Sequence, residues 1–96
     1  MLNKNDIANY LLELKILEKD IDTEEEKDWI EAHLSAFHED IKNIEGVISS
    51  TLSRRNNVLL LMITSDLLEN KLKKEMKVFF IRDQAYIEFI SIKIIN

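Results

Sequence analysis

Ile30, Leu34, Phe37, Ile41, Ile44 and Ile48 recur four and three residues apart in alternation, behind the acidic run Thr23-Glu-Glu-Glu26. This spacing sets six apolar side chains on one side of a helix of roughly 28 residues, with polar residues over most of the opposite face. Thr23 and Glu26 stand three apart, as the two halves of a capping box that opens such a helix. Gly46 falls on the outer face of the pattern, where it costs about 1 kcal/mol relative to Ala and marks a bend or an early end. Upstream, Ile7, Leu11, Leu14 and Leu17, flanked by Tyr10 and Ile21, predict a shorter helix from Lys4 to Lys19 with Asn3 or Asn5 as its cap. A connection of about three or four residues turns the two helices back on each other as an antiparallel hairpin. At 1.5 Å per residue the longer helix extends about 40 Å and the shorter about 24 Å, so the stretch from Ile41 to Leu52 needs another cover. The C-terminal segment and a second chain are the two candidates.

Beyond the stripe the period changes. The stretch from Ser49 to Asn57 reads as a helix end and a loop, and Val58 to Ile63 as a short strand buried on both faces, with a buried helix as the competing reading. Ser65 can cap a helix from Asp66 to Met76 that carries Leu68, Leu72 and Met76 on one face. Lys77 to Arg82 and Ala85 to Ile95 are rich in β-branched and aromatic residues around Asp83-Gln84, which predicts a hairpin. The expected fold is therefore α+β: an N-terminal antiparallel helical hairpin with one long helix, then a strand-helix-strand-strand unit forming a small three-stranded sheet. Residues 1–96 form a single domain in this reading, with an acidic helical hairpin over 1–52 and a mildly basic part over 57–96.

Charge sharpens that division. The net charge of −5 splits into −8 over Met1 to Glu45 and +3 over Gly46 to Asn96, so the molecule is dipolar. The absence of Cys excludes a disulfide framework and a thiolate metal site. The longest apolar run, Val58 to Ile63, is far short of the roughly 18 residues that span a bilayer, and the N-terminus has no apolar signal core, so a cytoplasmic chain with no membrane contact is expected. Ten Lys against three Arg, with 14 Ile and 8 Asn, suits an AT-rich genome such as that of a low-GC bacterium, its phages or an archaeal virus.

Site chemistry is sparse. Asp20, Asp22, Glu24, Asp28 and Glu31 fall at the spacing of a calcium loop, but Glu25 stands where the tight turn needs Gly, and the run reads instead as acids gathered at a helix N-terminus. His33 and His38 are five apart, about 140° around a helix, and cannot share a metal. One Gly cannot build a phosphate loop, and no Ser has a His and Asp context that sequence can vouch for. No cofactor, no metal and no enzymatic activity are expected.

The functional expectation is a small protein-binding regulator or inhibitor of the phage or mobile-element type, with Trp29, Ile41, Ile44, Ile48, Phe89 and Ile92 at a protein interface and with homodimerisation through the uncovered stripe. The last strand, an apolar edge, also needs a cover. The alternative is a dimeric nucleic-acid-binding regulator in which Arg54, Arg55, Lys71, Lys73, Lys74 and Arg82 contact phosphates.

Overall fold

The computed structural model of the protein describes residues 7–17 and 24–95, without the side chains of residues 24–27 and 29. Its elements run β1 (Ala8–Ile16), α1 (Glu24–Lys42), β2 (Val47–Arg55), β3 (Val58–Ser65), α2 (Glu69–Arg82) and β4 (Ile87–Ile94). The strands form one antiparallel sheet in the order β2-β3-β1-β4, and both helices lie on the same face. This is the β-α-β-β-α-β, ferredoxin-like arrangement. It replaces the expected helical hairpin and three-stranded sheet.

The largest correction is at the N-terminus, where β1 is the second central strand and not a helix. Tyr10, Leu12, Leu14 and Ile16 are buried at every second position, whereas Glu13 and Lys15 between them are exposed. A leucine-rich run satisfies two periods at once, and burial between β3 and β4 selects the period of two. The capping-box expectation at Thr23 and Glu26, and most of the acidic run, lie outside the described residues.

Helix α1 carries the stripe, but only as far as the stripe stays helical. Ile30, Leu34, Phe37, Ile41 and Ile44 are all buried in the chain's own core. The helix closes at Lys42, and Gly46 follows at φ +102°, a left-handed conformation that glycine adopts without Cβ strain. Ile48 thus leaves the helix altogether. It is the extra residue of a bulge in β2, since Val47 pairs with Ser65 and Ser49 with Thr64, and it is 56% exposed. The expected loop from Ser49 to Asn57 is edge strand β2, joined to β3 through Asn56 at φ 55° in the two-residue turn of a hairpin.

Strand β3 is buried on one face only: Leu59, Leu61 and Ile63 face the helices, while Val58, Leu60 and Met62 are exposed on the other side. Helix α2 begins three residues later than Asp66 and runs through the segment expected to be a strand. Val78-Phe-Phe-Ile81 favours strands locally, but as a helix it sets Phe79 and Phe80 against the core beside buried Leu72 and Met76. Ser65 caps no helix. Its Oγ donates to the Gly46 carbonyl at 2.6 Å and accepts from the Leu67 N–H at 3.0 Å, tying the start of β2 to the end of β3. No described helix is long and apolar enough to cross a membrane.

Candidate functional site

Helix α2 sits off the centre of the sheet, and the flank it turns away from α1 covers a hollow. Lys73, Met76, Lys77 and Phe80 come from that flank, Leu12 from β1, and Phe89 and Ile92 from β4. Together they line a cleft of about 240 Å³. The spacing explains the composition: residues 73, 77 and 80, and likewise 76 and 80, are three or four apart and share one side of the helix. From the sheet, cross-strand pairing puts Ile92 beside Leu12 and Phe89 beside Leu14 on the helix-covered face. A bulge at Ile90 resets the register of β4 between those two residues.

The cleft wall is apolar except for two ammonium groups. Phe80 and Phe89 meet at its far end with ring centroids 5.3 Å apart and planes tilted by 49°. Lys73 and Lys77 are exposed at the rim, and among the described residues no acidic side chain lines the cleft. Among the described residues neither lysine has an ion-pair partner, in contrast to Lys71, which pairs with Glu75 at 3.1 Å on the same helix.

A second, polar hollow lies on the opposite flank of α2, lined by His33, Ala36, Arg82, Asp83 and Tyr86. Here Arg82 bridges the two helices, reaching Asp40 of α1 at 2.8 Å and Asp83 at 2.9 Å, and its guanidinium lies 5.3 Å from the centre of the Phe79 ring. Hydrogen bonds to Asp83 and then to Asp40 hold the guanidinium above its ordinary pKa. His33 meets the Tyr86 ring edge-on at 5.0 Å. With Arg82 held between two carboxylates, this cluster fastens α1 to α2.

Two further titratable groups join elements. His38 Nε2 and Ser50 Oγ are hydrogen-bonded at 2.8 Å between α1 and β2, and burial pushes the imidazole below its ordinary pKa, with Lys42 adding to the effect. The Tyr10 hydroxyl donates to the Leu67 carbonyl at 2.7 Å, and its pKa is raised by burial and by Glu69.

The residues singled out from sequence scatter across this architecture. Ile41 and Ile44 are sealed inside the chain, so the expected seam for a second copy is internal core. Ile48 is exposed on the edge strand, and the Trp29 side chain lies outside the described residues. Phe89 and Ile92 do meet, at the cleft. The basic set forms no single surface: Arg54 pairs with Glu31, Lys71 with Glu75 and Arg82 with two aspartates, Arg55 ends the edge strand, and Lys74 lies outside the cleft lining. Only Lys73 of that set reaches the site. Leu12, Met76, Lys77 and Phe80 carried no expectation as site residues. Their signal, a shared helix flank, exists only if α2 is continued through Arg82.

The fold and cleft together define a ferredoxin-like α+β protein with an apolar cleft beneath its second helix. No family model matches the chain, and no curated protein does. Solved structures match over nearly its whole length. One is SnoaB, a cofactor-independent oxygenase from Streptomyces nogalater, at a TM-score of 0.64 and 8% identity over 95% of this chain and 92% of that one. MupZ from Pseudomonas fluorescens is similar at a TM-score of 0.66 and 9% identity, over 94% of this chain and 71% of MupZ. A Chloroflexus aurantiacus protein provisionally named an antibiotic biosynthesis monooxygenase gives 0.59 and 10% identity, over 94% and 91%. At these identities the likeness is one of fold.

That fold overturns the expectation of a non-enzymatic regulator or inhibitor. The expectation rested on surplus apolar helix, an acidic face and the absence of site chemistry. The surplus helix is instead a strand and a closed core, and the fold is one that enzymes such as SnoaB use.

Proposed function

We propose that this chain is a small cytoplasmic enzyme that oxidises an apolar, acidic organic substrate with dioxygen in the cleft between α2 and β4. The observation that carries the reading is an apolar cleft whose charged groups, among the described residues, are two lysines without an ion-pair partner, set in a fold that a cofactor-independent oxygenase shares. A substrate bound as its enolate or phenolate places its negative charge at Lys73 and Lys77 and its reacting carbon among Met76, Phe80 and Ile92. Apolar walls keep water from that carbon and strengthen the attraction at the rim. The CH₂ gives one proton to solvent as the enolate forms, the carbanion forms a C–O bond with dioxygen, the resulting peroxide takes a proton back from solvent, and loss of water with the second C–H hydrogen leaves a carbonyl where the CH₂ stood. The substrate gives up four electrons, and dioxygen accepts all four, ending as one carbonyl oxygen and one water. The test uses 2-tetralone, a bicyclic ketone with an acidic benzylic CH₂, under ¹⁸O₂. Dioxygen uptake above the uncatalysed rate with one ¹⁸O in the product supports the reading; uptake equal to the blank overturns it.

We further propose that two copies pair through the face of the sheet that no helix covers. Leu60, Met62 and Val58 are 38–43% exposed there, with Leu11 half-buried beside them. Four strands about 4.8 Å apart and about 8 residues long present roughly 500 Å² per copy, or about 1,000 Å² in total, near the lower bound for a stable interface. Glu13, Lys15 and Lys93 lie on this face by their register, so a two-fold pairing can set opposite charges together.

A further inference from the structure

The cleft has two unlike ends, and this polarity reads as a ligand specification. Phe80 stands seven residues beyond Lys73 and three beyond Lys77 on α2, so about 10 Å and about 4.5 Å of helix rise separate the Cα atoms of the two lysines from that of Phe80. Between them lie Met76, Leu12 and Ile92, which offer no hydrogen-bonding group. The chain is acidic overall, and the ion pairs on its surface otherwise engage Lys42, Arg54, Lys71 and Arg82, yet the two lysines that overlook the cleft have no carboxylate partner among the described residues. At the polar hollow on the other flank, two aspartates already claim the guanidinium. Of the three α2 lysines without an ion pair among the described residues, Lys73, Lys74 and Lys77, two stand at its apolar cavity.

We infer that the cleft selects a monoanionic, one- or two-ring ligand about 10 Å long, its carboxylate or enolate held by Lys73 and Lys77 and its ring seated against Phe80 and Phe89. The inference rests on the proposed small-molecule site but not on the oxygen chemistry. The charge requirement excludes neutral alcohols and amines of the same shape as good ligands, and an anion held at Lys73 needs that length to reach the aromatic pair. Lysines suit this role better than a buried arginine fork would, because two flexible ammonium groups at a rim accept either a carboxylate or a delocalised enolate.

Binding of 2-naphthoate, followed by amide chemical shifts of the full chain, tests this directly, with 2-naphthalenemethanol as the neutral counterpart. The expected result is saturable binding of the acid, with shifts centred on Leu12, Met76, Phe80, Phe89 and Ile92, and an affinity roughly tenfold above the alcohol's, as two solvent-screened charge contacts supply. Lys73→Met with Lys77→Met should erase the preference, while Lys74→Met, outside the cleft lining, should keep it. Lys73→Glu with Lys77→Glu should reverse it toward 2-naphthylmethylammonium. Equal affinity for acid and alcohol, a preference that survives the double Met variant, or no saturable acid binding at millimolar concentration would each overturn the inference. Acid binding with no dioxygen uptake on any probe would leave it standing and remove the oxygenase reading alone.

Discussion

Replacing Gly46 with Ala tests the joint between α1 and β2, where the helical stripe is cut short. The glycine holds φ +102°, and an added Cβ would come within 2.6 Å of Leu67 Cγ, 2.8 Å of Leu67 Cδ2 and 3.0 Å of Asp66 Oδ1. The left-handed backbone alone costs an L-residue roughly 1–2 kcal/mol. Overpacking against a side chain anchored near its own backbone adds about 1–3 kcal/mol, because Cγ cannot swing away as a chain end can. A combined loss of about 3 kcal/mol is a large fraction of the ~5–15 kcal/mol that holds a domain of this size. At about 4–8 °C per kcal/mol it lowers Tm by about 12–24 °C. The hydrogen bonds at risk are those that the Gly46 carbonyl accepts from the Ser65 hydroxyl and the Asp66 N–H, at 2.6 and 3.1 Å. Urea unfolding followed by far-UV circular dichroism measures the loss. Leu67→Ala separates its two parts: in the Gly46→Ala background it removes the clash but not the φ strain, so the pair should couple by about 1–2 kcal/mol in a double-mutant cycle. A Gly46→Ala protein within about 0.5 kcal/mol of the parent, or additive behaviour of the two changes, would refute the assignment of the helix stop to this backbone position.

Other outcomes follow from separate contacts. Leu60→Asp puts a charge in the middle of the open sheet face, so the parent should run at twice 11.3 kDa by light scattering and the variant at 11.3 kDa with unchanged circular dichroism; a monomeric parent removes the proposed dimer. His38 is pushed below its ordinary pKa of 6.5, chiefly by burial, so the unfolded chain binds more protons than the folded one in the window just below 6.5. Stability from this site is therefore full above that pH and falls as pH drops through the window, and His38→Gln should flatten that part of a Tm-against-pH curve. Arg82→Met strands Asp83, whose side chain is 13% exposed, beside Asp40 and should cost about 2 kcal/mol at neutral pH; adding Asp83→Asn should return part of it.

The sequence made some of this visible and concealed the rest for identifiable reasons. The stripe from Ile30 to Ile41 is one buried helix face, because α1 is covered by the sheet along its length and nothing competes with its period. The stripe misled at its end: Ile44 packs into the core from the turn after the helix, and Ile48, one more residue at the right spacing, lies beyond a left-handed glycine. Strand β1 was hidden because Leu11, Leu14 and Leu17 supply a helical spacing while Tyr10, Leu12, Leu14 and Ile16 supply the strand's. Strand β2 was hidden for the opposite reason. As an edge strand with only Val47, Ser50 and Leu52 half-buried, its Ser and Arg residues leave almost no apolar alternation to read. At the site, Phe89 and Ile92 drew attention as exposed strand apolars, but their partners on α2 stayed out of view while Lys77 to Arg82 was read as a strand.

Phe80 joins that overlooked helix flank to everything around it, and shortening it gives the most informative change at the cleft. Its ring lies 5.8 Å from Phe37 in the core and 5.3 Å from Phe89 at the edge of the sheet, so it stands between the cleft and a neighbouring hollow of about 290 Å³ lined by Leu17, Phe80, Ile81, Gln84, Ile87, Glu88 and Phe89. Phe80→Ala removes this partition. The fold should lose about 2–3 kcal/mol, below the cost at a fully buried phenylalanine because Phe80 is only half-buried and the site opens to water. Binding should change in the other direction for longer molecules. With the two hollows merged, a three-ring acid such as 2-anthracenecarboxylate reaches the space beside Ile81 and Ile87 while its carboxylate stays at Lys73 and Lys77. The affinity ratio of 2-anthracenecarboxylate to 2-naphthoate should therefore rise at least tenfold in Phe80→Ala, measured on a variant whose sheet amides keep their parent chemical shifts. An unchanged ratio in such a folded variant would mean that Phe80 does not end the cleft, and that ligand length is set elsewhere along β4.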